Sequence, residues 1–414
     1  MTDKFGFEDV MSMVQTWVRI PDVLFFQEGP GVRNTQYTTQ GVKLLNVANL
    51  VDGEIDLSTS DRYISEEEAY GKYRHFLCDV GDFIVASSGI KVEYIDKKMG
   101  FIDETMLPLC MNTSTIRFKV LDINQLSIRY FMYYLKSHHF KDQLAHFITG
   151  SAQLNYGPSH LSKMTMPLID LPEQEIIVER LDKLQSIITH RKQQLEKLDE
   201  LVKARFVEMF GEPISNPMGW KIKKLSELSE LITNGNTPKG GSENYVDSGI
   251  LFLRSQNVWR NRIDLDDVAY IDDETHKKMK KSSVHYNDIL ITKTGRINTE
   301  NSSLGRAALF QGDDNSANIN GHVYLVRLKN IVSPKFVVTI LTGEAYRKYI
   351  RKVCVGGIDK RQINLDQVED FPIIMPPLEL QNQFADFVKQ VDKSKFIAEI
   401  IITTIRRVRL YDQF

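Results

Sequence analysis

The sequence has few cysteines and no long apolar run, and each absence excludes a class of protein. The three cysteines among its 414 residues, Cys78, Cys110 and Cys354, are far apart and have no CxxC or Cys/His ligand spacing. Neither a disulfide framework nor a structural zinc site is indicated, and we expect buried, reduced thiols. No stretch reaches the roughly 18 uninterrupted apolar residues of a membrane span. Because the polar start Met1–Lys4 lacks the apolar core of a signal peptide, we expect a cytoplasmic protein.

There is also little net charge, with a formal value of −2. Lys and Arg that neutralise phosphates supply most nonspecific affinity for nucleic acid, so this balance argues against an indiscriminate polyanion binder. Basic residues are nevertheless clustered in segments 277–281, 293–306, 347–352 and 360–361. A solvated face is the ordinary explanation of any one cluster. Several patches on a near-neutral chain favour selective binding.

The common catalytic motifs are missing as well. There is no GxGxxG after a strand, no GxxxxGK[ST] phosphate loop, no HExxH and no GxSxG elbow. The Asn-Pro-Pro-aromatic motif of amino-methyltransferases is also absent, and Asn216–Met218 reads as a turn after a helix. His138 and His139 lie in a Lys-rich stretch without acidic partners, which favours a surface pair over a metal site. We therefore predict neither catalytic residues nor metal ligands in this chain.

What the sequence does contain is an internal repeat with an offset of about 205 residues. Gln153–Asn155, then Pro167–Pro172, then a long amphipathic stretch return as Gln362–Asn364, Pro372–Pro377 and a second such stretch. Further pairs keep their order upstream: Trp17 and Trp220, Gly41–Asn49 and Gly249–Asn257, Val80–Gly89 and Tyr286–Gly295, with Asp82 against Asp288. Each of the latter segments is an apolar run followed by polar residues, which is typical of a buried strand that leads into a loop.

Both amphipathic stretches predict long helices, Glu173–Met209 and Leu378–Tyr411. Apolar residues recur at heptad spacing along each, which is the pattern of a coiled-coil seam. The predicted pairing residues are Leu181, Leu184, Ile188, Leu195, Leu198, Val202, Phe384, Val391, Ile401, Ile405 and Val408. Pairing of the two helices, antiparallel, is the simplest way to bury both seams, and packing of each helix on its own domain is the alternative.

These patterns predict an α/β (α+β) protein in which two strand-rich repeated domains are separated by the antiparallel helix pair. The predicted segments are residues 1–168 and 212–373 for the domains, 169–211 for the central helix and 374–414 for the C-terminal helix.

Polar loops that follow the predicted strands are the candidate binding residues. Arg suits guanine and Asn or Gln suits adenine, while Lys, Ser and Thr more often contact phosphates. The candidates in the first copy are Arg33, Asn34, Asn46, Asn49, Ser87, Ser88 and Lys91. Those in the second copy are Thr237, Lys239, Arg254, Ser255, Gln256, Asn257, Arg260, Lys293, Thr294, Arg296, Asn320, His322, Lys360 and Arg361. Because the copies differ most in these loops, we expect them to read two different short DNA sequences.

The combination resembles the DNA-specificity subunit of type I restriction-modification systems. The resemblance rests on the duplication, on a long helix after each copy, and on Gly357–Asn364 followed by Ile374–Glu379 and Gln381. The first copy departs from the family pattern, with Tyr156–Ser159 as an apparent insertion and Leu171-Pro172 in place of the double proline.

This resemblance implies two target recognition domains, each binding one half of a split DNA target. It also implies that the helices set the unread spacer and dock two methyltransferase subunits, and that two restriction subunits complete the enzyme. S-adenosylmethionine, ATP and Mg²⁺ would belong to those partners. Two alternatives stay open from the sequence: a protein-interaction scaffold whose domains bind polypeptide, and an enzyme with an unfamiliar active site.

Overall fold

The computed structural model describes residues 16–148, 155–238, 240–299 and 301–407. The chain forms two compact units, residues 1–191 with 399–414, and residues 192–398, so that each long helix contributes to both units. Of the residues singled out above, Met1–Lys4, Gln153, Leu154, Lys239, Val408 and Tyr411 lie outside the described part.

The first unit is rich in short strands. Its strands are Thr16–Arg19, Leu24–Glu28, Val42–Leu45, Leu50–Val51, Glu54–Ile55, Tyr63–Ile64, Phe83–Ala86, Met99–Phe101, Leu109–Met111, Thr115–Val120 and Thr165–Leu168. Its α-helices are Ile20–Val23, Glu66–Tyr70, Ile128–Lys136, His138–Phe147 and Pro158–Leu161, followed by the central helix, Leu171–Phe210.

The second unit repeats the main elements of this order. Its strands are Ile222–Lys224, Ser229–Asn234, Ile250–Leu253, Ala269–Ile271, Ser283–Val284, Ile289–Thr292, Thr294–Arg296, Ala307–Leu309, Ala317–Ile319, Val323–Leu328, Val355–Gly356, Lys360–Gln362 and Pro372–Ile374. Its α-helices are Leu225–Leu228, Asp273–Lys278, Pro334–Thr342, Glu344–Val353 and Leu365–Glu369, followed by the C-terminal helix, Leu378–Arg407.

Sheet topology confirms the repeat and the predicted fold class. Each unit has an antiparallel four-stranded sheet, in the order 24–28, 115–120, 83–86, 99–101 and in the order 229–234, 323–328, 289–292, 307–309. Each also has a second sheet built on a parallel pair, 42–45 with 109–111 and 250–253 with 317–319. A two-stranded ribbon joins the start of each domain to the strand before its long helix.

The structure corrects the match at the first tryptophan. Ile20 N–H donates to the carbonyl of Met164 and Leu225 N–H donates to that of Phe371, both at 2.9 Å, so Ile20 and Leu225 are equivalent. Counting back from them, the equivalent of Trp17 is Ile222. The predicted match of Trp17 with Trp220 is therefore wrong by two residues. It rested on the shared tryptophan, whereas the hydrogen-bond register of the strands decides which residues are equivalent.

The expected insertion in the first copy is also wrong. Tyr156 N–H donates to Ser87 O and Ile363 N–H donates to Lys293 O, each at 2.9 Å, which makes Tyr156 and Ile363 equivalent. The short helices Pro158–Leu161 and Leu365–Glu369 then correspond without a gap. Asn155 consequently matches Gln362 rather than Asn364.

The long helices pack with each other inside the second unit. Lys395 forms an ion pair with Asp199, and the ring of Phe384 lies 5.4 Å from that of Phe206, so the two segments run antiparallel. In the first unit Ile405 packs against a core that includes Leu181 and Ile188. Both helices also contribute residues to the hydrophobic cores of the domains. Each helix therefore packs both on the other helix and on a domain.

The heptad pattern of the C-terminal helix places Phe384, Val391, Ala398 and Ile405 at sevens, with Phe387 and Ile401 among the residues between them, and the structure shifts these two intermediate positions by one residue. Phe384, Val391 and Ala398 are buried as the heptad requires, but Val388 and Ile402 are the buried residues between and after them. The predicted Ile401 is half-buried. Of the remaining predicted pairing residues, Leu181 and Ile188 are buried, whereas Leu184, Leu195, Leu198, Val202 and Ile405 are half-buried.

A buried glutamine joins each long helix to its domain. The Gln174 side chain accepts from Ser127 N at 2.9 Å and donates to the carbonyls of Gln125 and Ile169, each at 2.8 Å. Gln381 accepts from Ser333 N at 3.0 Å and donates to Pro376 O at 2.8 Å. Each glutamine thus satisfies an N–H at the start of the neighbouring helix, which would otherwise lack a partner.

The three cysteines are free and buried, as predicted. Burial raises the pKa of the Cys110 thiol to about 12, so the thiol stays protonated at neutral pH. None of the helices in the described part of the chain is both long enough and apolar enough to cross a membrane.

Candidate nucleic-acid interface

The predicted loops of the first unit meet at one edge of its sheets. Asn112 N–H donates to Leu45 O at 3.1 Å, which joins the ends of the two parallel strands. Ser87 N–H donates to Ser114 O at 2.8 Å, so the end of a third strand lies beside them. Residues far apart in sequence are therefore neighbours on a single surface.

The second unit builds the same edge with other side chains. Asn320 N–H donates to Leu253 O at 3.0 Å and Lys293 N–H donates to His322 O at 2.8 Å. Asn112 and Asn320 are thus equivalent, as are Ser87 and Lys293. The structure brings together the candidate residues that follow strands 250–253, 289–292 and 317–319.

Each edge is closed by a glycine at which the backbones approach closely. A Cβ on Gly29 would lie 2.0 Å from Asn112 O, and a Cβ on Gly235 would lie 2.3 Å from Asn320 O. Any other residue would force the strand end away from its neighbour. These glycines set the spacing of the loops that carry the candidate residues.

Two candidate asparagines turn their side chains inward. Asn257 is 2% exposed; its oxygen accepts from Arg254 N at 2.9 Å, and its amide donates to the carbonyls of Asp264 and Asp267 at 3.0 and 2.9 Å. Asn49 is fully buried and makes the equivalent bonds to Asn46 N and Asp56 O. These side chains hold the loops in shape and have no free group to read a base.

Replacing Asn257 with alanine should therefore destabilise the loop rather than remove a contact. The change leaves Arg254 N–H and the Asp264 carbonyl without these partners, and we expect a loss of about 1–3 kcal/mol in unfolding free energy. Urea unfolding of the full chain measures it. Gln256→Ala, at an exposed neighbouring position, should leave stability within about 0.5 kcal/mol of the parent. Equal effects of the two changes would contradict the assignment.

Two further candidates in the first unit are buried at the same edge. Asn46 is 9% exposed, donates to Leu44 O at 2.9 Å and accepts from the Asn112 amide at 2.9 Å. Ser87 is buried, whereas Ser88 is half-buried. We assign Asn46 to loop support, because its amide is already used within the domain.

The exposed candidates of the first unit are Arg33, Asn34 and Lys91. Lys91 borders a cleft of about 670 Å³ that is also lined by Asp52, Tyr94, Lys97 and Lys98. Lys97 and Lys98 were not among the sequence candidates, although the adjacent pair of lysines is the signal that could have indicated them. The Lys98 ammonium donates to Leu50 O at 2.7 Å.

Two candidate base readers of the second unit share one acidic partner. Arg254 donates to Asp267 O at 2.7 Å, and its guanidinium lies 3.2 Å from the Asp267 carboxylate. The Gln256 amide also donates to that carboxylate. Asp267 is exposed, so the shared partner of both residues lies at the solvent surface. Base contact by Arg254 and Gln256 stays a prediction.

A small three-stranded sheet gathers the other basic candidates. Strand 294–296 pairs with strand 360–362, which places Arg296 opposite Lys360 and Gly295 opposite Arg361. Arg296 lies 3.4 Å from Asp359. The Lys293 ammonium lies 5.7 Å from the centre of the Tyr324 ring. The structure thus brings Arg296 together on one sheet with Lys360 and Arg361, which the sequence places about 65 residues away.

The other candidates of the second unit differ in exposure. Thr237, Arg260, His322 and Lys360 are exposed, and Ser255, Lys293, Thr294, Asn320 and Arg361 are half-buried. The Asn320 side chain accepts from His322 N at 3.1 Å. Within the described residues no group of three or more His, Cys, Asp or Glu is placed to hold a metal ion.

A duplicated strand-rich domain, with polar candidate residues at one edge of each copy, defines the class of two-domain repeat proteins to which this chain belongs. Sequence comparison gives the family. The chain belongs to the type I restriction modification DNA specificity domain family, whose model matches residues 37–199 and 217–405. The two matches agree with the repeat seen in the structure.

Individual relatives support this membership. The chain is similar to the type I restriction enzyme StySPI specificity subunit of Salmonella potsdam, at 22% identity over 67% of this chain and 60% of the relative. It is similar to the EcoBI specificity subunit of Escherichia coli at 24% identity, over 56% of this chain and 53% of the relative. The chain thus aligns with only part of the length of these relatives.

Solved structures share the fold. The S subunit of a type I restriction-modification system from M. genitalium superposes with a TM-score of 0.54 at 15% identity, covering 96% of this chain and 95% of that one. The similarity therefore extends over nearly the whole chain.

Proposed function

We propose that this chain is the noncatalytic DNA-specificity subunit of a type I restriction-modification complex. Each domain reads one half of a split target in double-stranded DNA. The observation that carries this proposal is the loop edge: two domains with the same topology present different side chains at equivalent strand ends. Two half-sites of different sequence require a shared scaffold that carries different side chains in its loops.

Partners supply the chemistry in this proposal. Two methyltransferase subunits dock on the two long helices, which set the length of the unread spacer, and two restriction subunits complete the enzyme. S-adenosylmethionine, ATP and Mg²⁺ are bound by those partners. The complex acts in the cytoplasm, where bacterial and archaeal DNA is accessible. The absence of common catalytic motifs from the sequence supports the noncatalytic role.

Methylome sequencing tests the proposal directly. Cells that express this chain with its methyltransferase partners should contain methyladenine in a bipartite motif, two short specified sequences separated by a fixed unread spacer. The matched control is the same cells with the methyltransferase and without this chain, which should lack the motif. A short contiguous motif would contradict the two-domain reading, and an identical methylome without this chain would contradict the specificity role.

A further inference from the structure

A short hairpin beside the loop edge of the second unit carries two exposed arginines. Trp259 N–H donates to Arg262 O at 2.9 Å, which closes the hairpin, and Asn261 N–H donates to Ala307 O at 2.9 Å, which fixes it to a strand. Arg260 and Arg262 project into solvent from this hairpin.

A third arginine supports the hairpin from beneath. Arg306 is 8% exposed, and its guanidinium lies 3.9 Å from the centre of the Trp259 ring. Its Nε and Nη2 donate to the carbonyls of Ser302 at 3.0 Å and Asn301 at 2.5 Å. The planar group is thus held by stacking and by fixed acceptors, and it positions the indole.

The cluster concentrates positive charge. Burial lowers the pKa of Arg306, and the nearby charges of Arg260 and Arg262 lower it further. Among the described residues, this charge is partly offset by the ion pair of Arg262 with Asp264, at 3.4 Å. An anion bound between Arg260 and Arg262 would relieve the repulsion.

The equivalent hairpin of the first unit has the opposite charge. Thr292 N–H donates to Arg306 O and Ala86 N–H donates to Lys98 O, both at 2.9 Å, so Lys98 is the counterpart of Arg306. Counting from the matched residues Asn49 and Asn257, Arg260 corresponds to Asp52 and Arg262 corresponds to Glu54. Two acidic residues thus replace two arginines at the same place in the fold.

We propose that the hairpin Trp259–Arg262, positioned by Arg306, grips phosphates of the DNA backbone at the second half-site. The equivalent hairpin of the first unit does not bind phosphate. This inference rests on the proposed function and assigns the hairpin a sequence-independent share of binding. Its position next to Lys293 supports a DNA ligand, because Arg306 flanks the end of the strand that Lys293 follows.

Salt dependence of DNA binding tests the inference. The full chain, assembled with its methyltransferase partners, is titrated with the duplex that contains the methylome motif at several salt concentrations. The slope of log K against log salt is negative, and each lost phosphate contact reduces its magnitude by about 0.9, so Arg260→Gln with Arg262→Gln should reduce that magnitude by about 1.8. Binding to target and nontarget duplexes should fall by similar factors.

Three further double variants test the assignment. Lys277→Gln with Lys280→Gln removes the same charge from exposed positions after strand 269–271, and should leave the slope unchanged. The end of that strand, Ile271, pairs with Ile250, at the opposite end of the strand that leads into this edge. Arg260→Asp with Arg262→Glu copies residues that the first unit already accommodates and should weaken binding more than the glutamine pair. The reciprocal change, Asp52→Arg with Glu54→Arg, should steepen the slope.

An unchanged slope in both arginine variants would overturn the inference, and so would a loss confined to one base-pair sequence, which would make these residues base readers. In either case the parent complex would still bind its bipartite target and the proposed function would stand. A parent complex that binds no duplex would overturn both.

Discussion

Replacing Phe384 with alanine is expected to lower the unfolding free energy of the second unit by about 3–5 kcal/mol. Phe384 is fully buried, and its ring lies 5.4 Å from Phe206 and 5.6 Å from Phe210. Those two rings in turn pack on Phe336 at 5.6 and 4.8 Å. The cluster joins the segments of both long helices to the domain, so the cavity would open at the point where all three meet.

Hydrogen exchange measures this effect unit by unit. Amides of helix 334–342 should exchange faster in Phe384→Ala, while those of helix 128–136 in the first unit serve as an internal reference. Phe396→Ala is the matched control, because Phe396 is on the same helix and 64% exposed. It should change stability by less than about 0.5 kcal/mol. A loss below about 1 kcal/mol in Phe384→Ala would mean that the cluster does not hold the helices.

The sequence predicted the long helices because their apolar residues recur over several heptads. It was less reliable for the seam of the C-terminal helix, where apolar residues are adjacent: Phe387 precedes Val388, and Ile401 precedes Ile402. Spacing alone cannot choose between such neighbours. The structure buries the second of each pair, since packing against the facing segments selects the residue whose direction fits.

The candidate site shows a different limit. Asn49 and Asn257 have the residue type expected for reading adenine, and the same type is favoured for closing a turn. Only burial and hydrogen-bond partners distinguish the two roles. Lys98 and Arg306 show the reverse case, because nothing in the local sequence indicates that they are equivalent. Their common position follows from strand pairing, which joins residues distant in the chain.

The second large effect is expected from the carboxylate that the repeat preserves at the start of a central strand. Asp288 is 1% exposed and accepts two bonds from Arg327, from Nε at 2.9 Å and from Nη2 at 2.7 Å. It also accepts from His285 N at 2.7 Å. Asp82 is the equivalent residue of the first unit and pairs with Arg117 and Lys119 at 3.1 and 3.0 Å.

Asp288→Ala should cost about 3–5 kcal/mol, because it leaves the Arg327 guanidinium largely buried without its charge partner. Urea unfolding of the full chain, with exchange of amides in strand 289–292, measures the loss. Glu274→Ala breaks an ion pair with Lys278 whose acidic side chain is 84% exposed, and should cost less than about 0.5 kcal/mol. The decisive variant is the double change Asp288→Leu with Arg327→Leu, whose stability is compared with that of Asp288→Ala. If the cost comes from an unpaired charge, the double change should recover much of the stability lost in Asp288→Ala. If the double change is as unstable as the single one, charge pairing does not explain the stability lost in Asp288→Ala. The hydrogen bond from His285 N–H and the packing of the two side chains would then account for the loss.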